Sequence, residues 1–94
     1  MIEWSEQAAR QLVQAEYYIA ISNSEDVAER VTTHIVSSIQ QLHRFPMSGR
    51  TGRVAGTREL VISNTPFIVA YAVDRESVVV LAIYHGAQKW PEAF

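Results

Sequence analysis

Apolar residues recur at helical spacing along the first half of the chain and in short β-branched runs along the second. Ile2–Trp4 runs apolar, acidic, aromatic and predicts a short strand. Ser5 is placed to cap a helix, with Glu6 in its first turn facing the positive end of the dipole. Ala8, Leu12, Ala15 and Ile19 then form one apolar stripe. Ser22-Asn23-Ser24 breaks this helix; Ser24 caps the next, and Glu25 and Asp26 suit its start. Ala28, Val31, Ile35, Ile39 and Leu42 give a second stripe, which ends before Pro46. Two helices joined by so few residues predict an antiparallel hairpin.

The pattern changes after Pro46. Met47 to Gly56 has no apolar period and holds three glycines and two arginines, which predicts a loop. Thr57 to Ile62 reads as a strand with Arg58, Leu60 and Ile62 on one face and Thr57, Glu59 and Val61 on the other. Ser63–Pro66 is a turn. Phe67–Val73 and Ser77–Tyr84 are strongly apolar strands joined by a hairpin loop at Asp74-Arg75-Glu76. Val78–Ile83 has no polar residue, which predicts an interior strand covered on both faces. The expected fold is α+β: a short N-terminal strand and a helical hairpin packed on a twisted antiparallel sheet, in the order β-α-α-β-β-β.

A length of 94 residues predicts one domain over 1–94 with a modest core. The composition, 48% hydrophobic and 19% charged, is that of a globular chain rather than a disordered one. There are no cysteines, which excludes disulfides and thiolate metal sites. The N-terminus lacks the basic region and apolar run of a signal peptide, and no stretch is long enough for a membrane span. The expectation is a cytoplasmic protein with no membrane partner.

Net charge is −2, which gives no global case for nucleic acid, but the charge is unevenly spread. Glu3, Glu6, Glu16, Glu25, Asp26 and Glu29 face only Arg10 in the first 29 residues, whereas Arg44, Arg50, Arg53 and Arg58 follow with no acid among them. Arginines spaced by glycines sit on a backbone that can approach an anion closely. Four of them around one cleft could bind phosphate and stabilise charge on a transferring phosphoryl group. His85, at the end of the last strand, suits proton transfer near neutrality. His34 reads as a surface or packing residue, and His43 near a helix C-terminus is explained by the dipole alone. The three histidines lack metal-ligand spacing, so no metal or cofactor is expected. Glu59 reads first as a structural ion-pair partner beside Arg58 and second as a general base. Tyr71 reads as core or sheet-face packing.

Four blocks then appear in order: W-S-x-x-A before the first helix, P-x-x-G-R-x-G-R-V-x-G-T-R-E-L-V, P-F-I-V-A-Y-x-V, and V-V-V-L-A-I-Y-H-G-A-Q-x-W-P. Together they run from Trp4 to Pro91, and the ordered set resembles the RelE/ParE superfamily of toxins from bacterial toxin–antitoxin pairs. The resemblance implies a helical hairpin against a twisted antiparallel sheet. It also implies a cognate antitoxin that covers the working surface, and operator DNA contacted only through that antitoxin. Trp90 and Lys89, beyond the last strand, are the antitoxin-facing candidates.

The superfamily divides by mechanism. RelE-like members cut messenger RNA on the ribosome without a metal. Carried over, Arg50, Arg53 and Arg58, with Arg44 beside them, would hold phosphate, and His85 would be the acid–base group. ParE-like members share the fold and poison DNA gyrase. Here the last strand has no arginine or lysine, the basic loop has no lysine, and the pI is near 5.8. Ribosomal RNA favours a strongly basic partner. The balance favours a toxin of the gyrase-inhibiting kind. The alternatives are a ribosome-dependent messenger RNA endonuclease and an inactive remnant that only binds the antitoxin.

Overall fold

A computed structural model describes residues 1–94. Its elements are β1 (Ile2–Trp4), α1 (Glu6–Ser22), α2 (Glu25–Gln40), a 3-10 turn (Gln41–His43), β2 (Arg50–Thr51), β3 (Arg58–Val61), β4 (Phe67–Asp74) and β5 (Ser77–His85). The sheet order is β1-β5-β4-β3-β2. The architecture is α+β, with the helical hairpin on one face of the sheet.

Both helix starts follow from their caps. The hydroxyl of Ser5 accepts from the Ala8 amide at 3.0 Å, and that of Ser24 accepts from the Val27 amide at 3.1 Å. Ser5 also donates to the Leu81 carbonyl at 2.8 Å, which ties the start of α1 to β5. There the β4–β5 register shifts at Ala70/Tyr71. Beyond Val80, β1 no longer pairs with β5. Gln11 of α1 takes over and accepts from the Ile83 amide at 2.7 Å.

The core lies between the hairpin and the sheet. Ala8, Ile35 and Ile39 meet Ile62, Phe67, Val69, Val80 and Ile83, with Leu12, Ala15, Ile19 and Val31 packed around them. Both stripes therefore face inward as the periodicity predicts, and Leu42 continues the second from the 3-10 turn against Tyr71 and Val78. His34 ties α2 to the β3–β4 turn through its Nε2 and the Ser63 carbonyl at 2.9 Å. No helix is long and apolar enough to cross a membrane.

Two features differ from the expected order. The sheet is not wholly antiparallel, because β1 pairs in parallel with β5, Ile2 opposite Val78 and Trp4 opposite Val80. Three residues carry too little pattern to reveal a partner 76 positions away. The loop after Pro46 also contains β2, which pairs with β3 through Arg50–Glu59 and Thr51–Arg58. Both β2 residues are exposed, so no apolar alternation marks it.

Candidate functional site

The register decides where the arginines go. Antiparallel partners point to the same face of a sheet. Arg50, Glu59, Ala70 and Ala82 thus form one row across β2, β3, β4 and β5. Leu60, Val69 and Ile83, their sequence neighbours, pack toward the helices. The row with Arg50 and Glu59 therefore occupies the opposite, far face.

Glu59 organises this face. It is 2% exposed and is the one buried charged residue. Its Oε1 accepts from Arg50 Nε at 3.0 Å and Nη2 at 2.9 Å, and from Arg53 Nη2 at 3.2 Å. Its Oε2 accepts from the Arg53 amide at 2.8 Å and Arg53 Nε at 3.0 Å. Burial pushes the carboxyl up, but the Arg53 side-chain and backbone donors and the Arg50 guanidinium outweigh it, holding the pKa at about 2 instead of 4.5. A group so acidic is a poor general base near neutral pH. Its chemistry is that of an ionic anchor, which fastens a glycine-spaced loop to the sheet.

The second layer on this face is aromatic. Trp90 covers Ala70, Ala82 and Tyr84, whose small or flat surfaces leave room for the indole. Its ring lies 4.7 Å from that of Tyr84, and Arg53 stacks its guanidinium carbon 3.8 Å from the Trp90 centroid. Phe94 extends the stack, 6.3 Å from Tyr84. The surface is therefore a cation–π assembly of Arg53 and Trp90 beside an arginine–carboxylate triad. Arg50 and Arg53 keep 55% and 43% of their side-chain surface, so one net positive charge remains open to a partner.

The other predicted residues lie elsewhere. Arg58 pairs across the strands with Thr51 and Tyr71, on the helix-side face. It turns away from Glu59, and its Nη1 donates to the carbonyls of Gly49 at 2.6 Å and Met47 at 3.3 Å. His85 sits opposite Phe67 at the far end of β4, its ring edge-on to the phenyl at 5.9 Å. Its Nδ1 accepts from the Ala87 amide at 3.2 Å. Strand spacing puts the Cα atoms of Arg58 and His85 roughly 15 Å apart. Arg44 follows the 3-10 turn and lies 5.5 Å over the Phe45 ring. Lys89 is exposed next to Trp90. Arg50, Arg53 and Trp90 are thus brought together, while Arg44, Arg58 and His85 are dispersed.

Two residues play larger parts than their sequence positions suggest. Glu59 was legible as an ion-pair partner, but its partners are Arg50 and Arg53 rather than Arg58. Tyr71, wholly buried, does more than pack. Its hydroxyl donates to the Pro46 carbonyl at 2.8 Å and accepts from the Gly49 amide at 2.9 Å, so it clamps the start of the loop. A Cβ on Gly49 would come within 2.5 Å of that hydroxyl, which is why glycine sits there.

Comparison with known proteins agrees with this architecture. The family model described as ParE toxin of type II toxin–antitoxin system, parDE, matches residues 2–90. The protein named "Putative toxin Y4kP" of Sinorhizobium fredii (strain NBRC 101917 / NGR234) is 37% identical over 91 residues, covering 97% of this chain and 93% of its own length. A chain from the structure titled "Chromosomal ParDE TA system from P. aeruginosa" superposes with a TM-score of 0.82 at 22% identity. That superposition covers 89% of this chain and 92% of the solved one, and it bears on the fold alone.

Proposed function

From the premise that this chain belongs to the ParE toxin family of type II toxin–antitoxin systems, we propose that it arrests growth by binding and poisoning DNA gyrase, and that a cognate antitoxin neutralises it. One observation carries the choice of target. A metal-independent ribonuclease needs a base, a phosphate clamp and an acid around one phosphodiester. Here Arg50 and Arg53 are spent on Glu59, Arg58 holds backbone carbonyls on the other face, and His85 stands at the far end of the sheet. A surface with one spare positive charge and stacked aromatic rings suits protein docking better than bond cleavage.

In this reading Arg50, Arg53 and Trp90 form the docking surface for the target, and Lys89 lies at its margin. The antitoxin neutralises the toxin by covering the same surface, and it supplies any contact with operator DNA. The test is a cleavage assay with purified gyrase and supercoiled plasmid. The toxin should raise the level of covalent gyrase–DNA complexes and slow supercoiling. Unchanged supercoiling and cleavage at a toxin concentration that arrests cells would refute the proposal.

A further inference from the structure

Glu59 holds both loop arginines by the same edge. Arg50 and Arg53 each meet its carboxylate through Nε and Nη2. The end edge of a guanidinium, made of Nη1 and the second N–H of Nη2, points away from such a contact. Nη1 of both arginines makes no hydrogen bond within the chain, and Glu59 is the only ionic partner of either. Their Nη2 atoms lie 2.9 and 3.2 Å from the same oxygen, Oε1, so the two end edges start within about 6 Å of one another. We propose that these two edges form a receptor for a carboxylate, that of an aspartate or glutamate side chain on a protein partner. The proposal rests on the reading of this face as a docking surface and gives the chemistry of what docks there.

The edges are set before a ligand arrives. Glu59 is 2% exposed and enclosed by its donors. Arg53 is fixed further by its own amide on Oε2 at 2.8 Å and by the indole of Trp90, 3.8 Å from its guanidinium carbon. An arginine that is ordered on folding has less rotamer freedom left to lose on binding. Both side chains nonetheless stay about half exposed, so a ligand can reach them.

Charge and surroundings select the ligand. Two arginines and one carboxylate leave one positive charge, which a single further carboxylate neutralises. A nucleic-acid backbone is gripped by several cations at once. Here Arg58 is turned to the helix-side face, Arg44 lies over Phe45, exposed Lys89 adds one base at the margin, and the whole chain carries −2. The rest of the face is apolar. Val61 lies two residues along β3 from Glu59, on the same face, and is exposed, as is Phe94 beside Tyr84. Ile68, the partner of Val61 on β4, is half-buried. A carboxylate flanked by aliphatic or aromatic residues therefore meets both parts of the surface, and the apolar cover strengthens the ion pair by excluding water.

The test is a titration of the isotope-labelled toxin, read by NMR at the Nε–H signals of Arg50 and Arg53. The probes are acetyl-Leu-Asp-Phe-amide, its asparagine counterpart and a short DNA duplex. The aspartate peptide should shift both arginine signals with a dissociation constant on the order of 1 mM. The asparagine peptide should bind at least about tenfold more weakly, and the duplex should leave the signals unmoved. Arg50→Lys and Arg53→Lys keep the charge but lose the planar edge; each should weaken the aspartate peptide about tenfold while circular dichroism stays unchanged. Surface plasmon resonance of the same variants on immobilised gyrase and on the antitoxin then locates the carboxylate. A matching loss with gyrase alone places it on the target, a loss with the antitoxin alone places it there, and a loss with both makes the two compete for one receptor. A toxin that binds the peptide and the antitoxin but not gyrase would overturn the choice of gyrase and leave the receptor standing. The receptor is overturned by a peptide that moves no arginine signal up to about 20 mM, by an asparagine peptide that binds as well, or by DNA that binds the arginines more tightly. Folded lysine variants that bind the peptide as the wild type does, or that keep full affinity for both partners, overturn it too.

Discussion

Replacing Glu59 by glutamine keeps the shape of the side chain and removes the charge that anchors the arginine loop. The amide also presents an N–H₂ group to donors, since five hydrogen bonds from Arg50 and Arg53 converge on this carboxylate. The fall in pKa from 4.5 to about 2 corresponds to about 3 kcal/mol of native-state stabilisation. The two guanidinium groups are about half exposed, and solvent screening trims the expected effect to about 2 kcal/mol. For a chain of this length that is a fall in Tm of about 10–15 °C. The folded pKa is depressed, so the contribution is complete above the unfolded value of 4.5 and is lost as pH falls through about 2. Urea unfolding of wild type and Glu59→Gln at pH 7 should therefore differ by about 2 kcal/mol. The gap should narrow steadily between about pH 5 and pH 2. A gap under about 0.5 kcal/mol at pH 7, the level of an ordinary surface change, or one that does not vary with pH, would show that the triad is not an anchor.

Other substitutions probe the neighbouring contacts. Tyr71→Phe removes the hydroxyl that clamps Pro46 and Gly49 and should cost about 1–2 kcal/mol in urea unfolding. Gly49→Ala should cost more than Tyr71→Phe in the same measurement, because its Cβ would press on both Tyr71 and the Glu59 carbonyl. Trp90→Ala uncovers Ala70, Ala82 and Tyr84 and unstacks Arg53. It should lower stability by about 2 kcal/mol and also weaken growth inhibition, read from induced cultures. His85→Ala should leave growth inhibition intact, which an acid–base role for this histidine would forbid.

The sequence made the helices legible because each carries its own evidence. Ser5 and Ser24 cap where their side chains can reach an amide two or three residues on, and both stripes face the sheet. The two long strands were equally plain, and alternation along 57–62 correctly separated Arg58 and Leu60 from Glu59 and Val61. What could not be read was pairing. β1 and β2 are too short for their partners to show, and the register that puts Arg50 across from Glu59 depends on where β2 begins. The site followed the same division. A carboxylate next to the last of the arginines was legible in the sequence, but which arginines it holds is a property of the folded loop. Trp90 lies past the last strand, where no periodicity predicts that it folds back over Tyr84.

The central claim is that the arginine–aromatic face docks gyrase and does not cut RNA. It is tested most directly by giving one preparation of purified toxin, in parallel, to gyrase with plasmid and to translating ribosomes with message. The account predicts accumulated gyrase–DNA cleavage complexes, lost on Arg50→Ala with Arg53→Ala and kept on His85→Ala, with the message left whole. Message cut within the ribosome, with gyrase unaffected, would contradict it and would return His85 and Arg58 to the centre of the mechanism.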